Sequence, residues 1–157
     1  IIGAGSQLSE IRQLAESHIQ VLGWQPDHIV QEYITKAKAF VYAACEDFGI
    51  ALVEAQACGT PVIAYGKGGA LETVKDIRQC PQDGTGLLFD TQQPEALVAA
   101  VKSFEQLQPQ IEPKNCRLQA NKFSPVVFQQ SYLKYIEDCY QEWRLGFAQA
   151  SRSQSKT

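Results

Sequence analysis

Glu46 and Glu54 stand eight positions apart, and the first is followed at once by Asp47-Phe48-Gly49. Spacing alone does not separate a functional pair of carboxylates from exposed glutamates that complement a helix dipole. Placement says more. Glu46 is expected in the loop after an apolar strand and Glu54 about one and a half turns into the following helix, so that both reach the crevice at the strand's carboxyl end. The start of that helix, near Phe48, Gly49 and Ile50, offers backbone amides without intrahelical partners, a partly positive site suited to phosphate or sugar hydroxyls. Gly49 lets a ligand come close to the backbone there. A carboxylate accepts hydrogen bonds from vicinal hydroxyls, as acidic residues do when they recognise a ribose, and Glu54 suits that role.

Other loops carry glycine in positions where chemistry is conceivable. Gly3-Ala4-Gly5 opens like a dinucleotide fingerprint, but Leu8 occupies the place of its third glycine. Either a tight turn or a ligand approach accounts for Gly3 and Gly5. Gly66-Lys67-Gly68-Gly69 feeds another helix without the Gly-Lys-Ser/Thr ending of a P-loop, and reads as a flexible turn or as a phosphate- or sugar-holding loop. Cys45 adjoins Glu46, yet no histidine is near it in sequence to activate a thiol, and a small buried cysteine is the simpler reading.

These loops need strands and helices to hold them. Ile1-Ile2 reads as the end of a strand, and Ser6 as the N-cap of a helix from Gln7 to Ser17. Ile19–Leu22 reads as a short strand closing at Gly23, and a helix beginning near Pro26 carries Ile29, Val30, Tyr33 and Ile34 inward. Ala39–Ala44 is apolar without alternation, as in a strand covered on both faces. A helix then runs from near Gly49 to Cys58, with Gly59 as its stop. Pro61 marks the edge of the strand Val62–Tyr65. A helix over Ala70–Ile77, a polar loop, the strand Gly86–Phe89 and a helix from Pro94 to Leu107 follow. The last helix, Pro125 to Phe147, lines up Val127, Phe128, Tyr132, Leu133, Tyr135, Ile136, Tyr140 and Trp143, an aromatic density that suits core or inter-domain packing. The small polar stretch 148–157 is expected to be a disordered tail.

The alternation of strand and helix with short connections predicts an α/β fold, a Rossmann-like parallel sheet with helices on both faces, in one domain over residues 1–147. Five strands are counted, and such a sheet usually has one more at its start, so the first strand is expected upstream of Ile1. The lack of methionine and the opening inside an apolar pattern also read as a fragment.

Bulk properties exclude several classes. With 45% hydrophobic and 20% charged residues the chain is of ordinary globular composition. A net charge of -3 gives no field that would gather nucleic acid or an anionic membrane, so any phosphate site is local. No apolar run approaches the ~20 residues of a membrane span, and Ile1-Ile2-Gly3 lacks the charged start of a signal peptide. Five cysteines without a Cys-x-x-Cys pair read as reduced thiols rather than a disulfide or zinc framework.

The run Glu46-Asp47-Phe48-Gly49-Ile50-Ala51-Leu52-Val53-Glu54-Ala55, followed by Ala57-Cys58-Gly59-Thr60-Pro61-Val62-Ile63-Ala64, resembles the signature of family 4 retaining glycosyltransferases. Ile1-Ile2-Gly3-Ala4-Gly5, Val21-Leu22-Gly23-Trp24, Gly68-Gly69-Ala70-Leu71-Glu72-Thr73-Val74 and Gly84-Thr85-Gly86-Leu87-Leu88-Phe89 agree with it in order, and Phe123-Ser124 also fits. The likeness extends over Ile1 to Glu105. It implies the C-terminal, donor-binding half of a two-domain GT-B enzyme, whose N-terminal domain binds the acceptor. Carried over by position, Glu54 would bind the ribose hydroxyls, and Glu46 would contact the donor sugar near the reacting centre as electrostatic support. The amides of Phe48, Gly49 and Ile50 would hold sugar hydroxyls and diphosphate, Gly23-Trp24 would lie beside the nucleobase, and the Gly3 turn would border the nucleotide pocket.

The resemblance further implies transfer of a hexose with retained configuration and without an obligatory metal or cofactor. The leaving phosphate would help as base. GDP-mannose is the donor it favours, with a UDP-sugar as the other possibility, and the acceptor is a glycan or lipid-linked sugar. The implied location is cytoplasmic, with peripheral association of the full-length enzyme at the inner membrane face. Two departures stand out. The family's diphosphate-binding Arg and Lys follow the domain's first strand, a segment before Ile1, so the fragment alone is expected to be inactive. The loop Arg78 to Asp83 is longer than usual. The alternatives are a non-catalytic sugar-nucleotide-binding or interaction module and an NAD-linked oxidoreductase. The latter lacks its third glycine at Leu8 and an acidic residue at Gly23-Trp24.

Overall fold

A computed structural model describes residues 1–154, with side chains to Leu145. Two compact units divide the chain, Ile1–Ala120 and a second beginning at Asn121.

The first unit is built on a three-stranded parallel sheet in the order β1-β2-β3, formed by β1 (Phe40–Tyr42), β2 (Val62–Tyr65) and β3 (Gly86–Phe89). Helices α1 (Leu8–Leu14) and α2 (Asp27–Lys36) precede β1. Helix α3 (Ile50–Ala57) connects β1 to β2, and α4 (Ala70–Thr73) connects β2 to β3. Helix α5 (Pro94–Leu107), a single 3₁₀ turn over Gln108–Gln110, and α6 (Pro113–Asn121) complete it.

Both faces of the sheet are covered because successive residues of a strand point to opposite sides. On β2, Val62 and Ala64 join Ile34, Leu52, Ala55, Ala70 and Val74 under α2, α3 and α4. Ile63 turns the other way, to Leu87, Phe89, Ala100, Phe104 and Cys116. The parallel α/β sheet with helices on both faces is therefore as the alternation predicts. Leu52, Ile63 and Leu87 are almost wholly buried, and each contributes about 1.5–3 kcal/mol of burial.

Several expectations are corrected. Of five predicted strands, three form the sheet; Ile1-Ile2 and Ile19–Leu22 shrink to a single parallel bridge between Ile2 and Gly23. Val41 is 48% exposed, so β1 is not covered on both faces; among the described strands it pairs only with β2 and forms the sheet's edge. Ser6 does not cap α1, which starts from Gln7 without a side-chain cap and ends at Leu14 where Ala15 turns extended. Helix α4 stops at Thr73 instead of Ile77, because Val74 is extended and Asp76 forms a parallel bridge with Gly86. Helix α6 was not expected.

In the second unit, α7 (Pro125–Gln154) is one long helix. Tyr132, Tyr135, Tyr140 and Trp143 are each at least half exposed along it, so they form no buried core. The tail expected to be disordered, 148–157, overlaps the last turns of α7, and 155–157 lie outside the described residues.

Candidate functional site

The loop leaving β1 is gripped by the loop leaving β2. The Gly69 amide donates to the Glu46 carbonyl at 2.8 Å, and Glu46 and Gly68 form a parallel bridge. A Cβ on Gly68 would press into the Glu46 carbonyl, and one on Gly69 into the backbone of Phe48, each well inside the 3.0 Å that real Cβ atoms respect. The second glycine-rich loop thus serves the first: its glycines let two backbones touch. Lys67, at its tip, is exposed.

The Glu46 carboxylate is held as well. The Tyr42 hydroxyl donates to Glu46 Oε1 across the turn at the end of β1. The Tyr42 phenol is pushed above its ordinary range by that hydrogen bond and, secondarily, by burial. Sequence reasoning passed over Tyr42 because it treated Ala39–Ala44 as a buried apolar run; a hydroxyl four residues before the carboxylate was the available signal.

Gly49 is buried with φ of 82°, a left-handed conformation that favours glycine, and a Cβ there would meet the Leu52 side chain at 2.9 Å. It forms the N-cap of α3 with no side-chain cap on the helix. Its carbonyl takes the amides of Leu52 and Val53, so the helix's positive end opens at Ile50, whose side chain is exposed like that of Phe48.

Glu54 is exposed on α3. It lines a cleft of about 430 Å³ between α2 and α3 with Asp27, Val30, Gln31, Thr35 and Cys58. Glu46 is not among the lining residues. The structure therefore joins Glu46 to Tyr42 and the Gly68-Gly69 loop, and sets Glu54 in the groove beside α2.

Gly3 and Gly23 meet each other. The Gly3 amide donates to the Gly23 carbonyl at 2.8 Å and the Leu22 amide to the Ile1 carbonyl at 2.9 Å. Both glycines have positive φ, 134° and 72°. Trp24 is 73% exposed beside them, and the Arg12 guanidinium of α1 lies against Gly23.

The loop Arg78 to Asp83 has a structural account. Buried Asp76 accepts from the Arg78 amide and Nε at 2.9 Å, from Arg78 Nη2 at 2.5 Å and from the Leu88 amide at 3.0 Å. Burial alone would push the Asp76 carboxyl up, but these hydrogen bonds and the Arg78 charge outweigh it and hold it below its ordinary range. Lys75 pairs with Asp83 at the loop's far end.

Among the described residues, no group of three or more His, Cys, Asp or Glu side chains is arranged to hold a metal ion. No described helix is long and apolar enough to cross a membrane.

The family described as glycosyl transferases group 1 matches residues 1–123. D-inositol 3-phosphate glycosyltransferase of Acidothermus cellulolyticus is 36% identical over 76 residues, which are 48% of this chain and 16% of that enzyme. Its counterpart in Rhodococcus jostii is 38% identical over 78 residues, 50% of this chain and 16% of the other. The matched stretch is thus about a sixth of these relatives. Among solved structures, sucrose-phosphate synthase from Thermosynechococcus elongatus superposes with a TM-score of 0.65 at 23% identity, over 88% of this chain and 38% of that one. Anabaena Alr3699/HepE, solved in complex with UDP, gives 0.66 at 20% identity, over 87% of this chain and 40% of the other. At these identities the likeness establishes the fold.

Proposed function

The chain belongs to the glycosyl transferases group 1 family, and from that premise we propose that it is the donor-binding domain of a retaining enzyme. The enzyme moves a hexose from a nucleotide sugar to a glycan or lipid-linked acceptor. The observation that carries this reading is the Glu46–Ile50 loop, locked beyond the carboxyl end of the sheet by Gly68-Gly69 and continuing into the uncapped start of α3. That is where open parallel sheets bind ligands and where a helix offers amides to an anion.

In this reading the sugar and diphosphate lie against the amides of Phe48, Gly49 and Ile50, with the Glu46 carboxylate facing the sugar. The bond from the anomeric carbon to the donor phosphate breaks as a bond to the acceptor oxygen forms on the same face. The acceptor's proton passes to the departing phosphate oxygen. Positive charge develops on the sugar ring, and the Glu46 carboxylate stabilises it. Glu54 accepts the ribose hydroxyls. Gly23 and Trp24 border the nucleobase, and the Gly3 turn, tied to Gly23, closes the same end of the pocket.

The donor is GDP-mannose or a UDP-sugar. The acceptor is bound by a second, N-terminal domain, and the full-length enzyme works in the cytoplasm against the membrane's inner face; the domain alone does not transfer. Support for donor chemistry comes from the fold, which is shared with a protein solved with UDP.

Transfer assays on the full-length protein, run with GDP-mannose and UDP-glucose, test this. Glu46→Ala is expected to lower kcat about 10²-fold, and Glu54→Ala to weaken donor binding about tenfold. Wild-type behaviour in both variants refutes the assignment.

A further inference from the structure

The feature that donor binding leaves unexplained is the phenol at the end of β1. Tyr42 is partly buried, its ring stacks on Phe40 with centroids 6.1 Å apart and planes 16° from parallel, and it packs against the core beneath α3. Its backbone is in register with Ala64 of β2. The ring is therefore held by Phe40 and by the core, its backbone by the sheet, and its hydroxyl ends on Glu46 Oε1.

Glu46 is otherwise an exposed side chain on a loop. A free glutamate there would sample several rotamers and reach its productive one only part of the time. Its backbone is already fixed by Gly69 and Gly68, so the remaining freedom lies in the side-chain torsions.

We propose that Tyr42 is a positioning residue for transfer, holding Glu46 Oε1 so that Oε2 is presented to the donor sugar. This rests on the reading of Glu46 given above. The phenol acts by direction. As a hydrogen-bond donor fixed on a strand it selects one carboxylate orientation before the donor arrives, which removes an ordering step from the reaction. It stays protonated, and so remains a donor, through the neutral range, since both the hydrogen bond and burial oppose its ionisation.

Three variants of the full-length protein decide it, assayed with whichever of GDP-mannose and UDP-glucose is turned over faster. Tyr42→Phe keeps the ring and its packing and removes only the hydroxyl. It is expected to lower kcat about tenfold, to change the donor KM less than about twofold, and to melt at the wild-type temperature. A residue with a merely structural role would move the melting temperature and leave the split between kcat and KM unchanged. Because the hydroxyl acts only through the carboxylate, Tyr42→Phe combined with Glu46→Ala should be no slower than Glu46→Ala alone. Wild-type kcat in Tyr42→Phe, or a loss that multiplies with that of Glu46→Ala, overturns the proposal and leaves the role of Glu46 standing. Wild-type kcat in Glu46→Ala, or no turnover of either donor, overturns both.

Discussion

Replacing Gly69 by alanine isolates the grip between the two loops. Gly69 has φ of -61° and ψ of -19°, an ordinary right-handed conformation that alanine adopts freely, so no backbone strain enters. What enters is one methyl group, aimed at the Phe48 backbone well inside 3.0 Å. Backbone cannot swing aside as a flexible side chain would, so the loops must part by roughly 1 Å, on the scale of ordinary contact distances. Overpacking of this kind costs about 1–3 kcal/mol. The hydrogen bond from the Gly69 amide to the Glu46 carbonyl, 2.8 Å in the wild type, adds about 1 kcal/mol when lost. Against this, alanine restricts the unfolded chain and returns about 0.4–1 kcal/mol. The net is about 2 kcal/mol of destabilisation, or about 4–8 °C in melting temperature for a domain of this size. The larger effect is functional, since a 1 Å displacement of positioned groups can cost about 10²-fold in rate. Thermal melting of the domain and transfer assays on the full-length protein read the two quantities. Gly5→Ala is the control, because a Cβ there meets nothing within 4 Å and φ is not in the left-handed range. A Gly69→Ala protein that melts and turns over like Gly5→Ala would refute the argument that the loops are locked by contact.

Two further outcomes follow from the buried groups. Asp76→Asn is expected to cost about 2 kcal/mol, less than a fully buried ion pair because the Arg78 side chain is half exposed and can be rehydrated. Since the folded-state pKa of Asp76 is lowered, its contribution is present above the unfolded value near 3.8 and fades as pH falls through the lower folded one; urea unfolding at pH 7 and near pH 3 should show the gap between wild type and Asp76→Asn narrowing on acidification, and a constant gap would contradict it. Cys116 is wholly buried, and burial pushes its thiol up to about 11; iodoacetamide at pH 8 should label Cys139 and Cys45, the latter exposed and not buried as its sequence suggests, and spare Cys116 until the protein unfolds, as peptide mass spectrometry would show.

The elements legible from sequence are those whose signals are local. Val62–Tyr65 and Gly86–Phe89 have the predicted bounds because each is a short apolar run introduced by a residue that ends what precedes it, Pro61 and Gly86. Helix α5 likewise runs from Pro94 to Leu107 as its periodicity requires. The failures have distant causes. Val74 and Ile77 fit a helical period that predicts a longer α4, whereas the carboxylate of Asp76 takes the Leu88 amide, twelve residues on, and draws that segment alongside β3. Helix α6 was missed because it buries little beyond Cys116, Gln119 and Ala120 in an otherwise polar stretch, which gives no strong stripe. At the site, the Glu46–Gly59 run was legible as motif and spacing. The hydroxyl of Tyr42 was not, since its hydrogen bond exists only once the loop after β1 has turned back on the strand. Nor was the service of Gly68 and Gly69 to the neighbouring loop visible, because a close approach between backbones leaves no trace in either segment alone.

The clamp of Asp76 on Arg78 and Leu88 also bears on how this part of the molecule can diverge. The start of β3 is held on one side by its pairing with β2 and on the other by the bridge between Asp76 and Gly86 and the Leu88 amide on the Asp76 carboxylate. The residues between Arg78 and Asp83 form a closed excursion whose two ends are tied at the sheet. A change of length confined to its exposed residues would release the Gln82 carbonyl from Asn115 but leave Asp76, Gly86 and Leu88 joined, so the strand beside it would stay in phase.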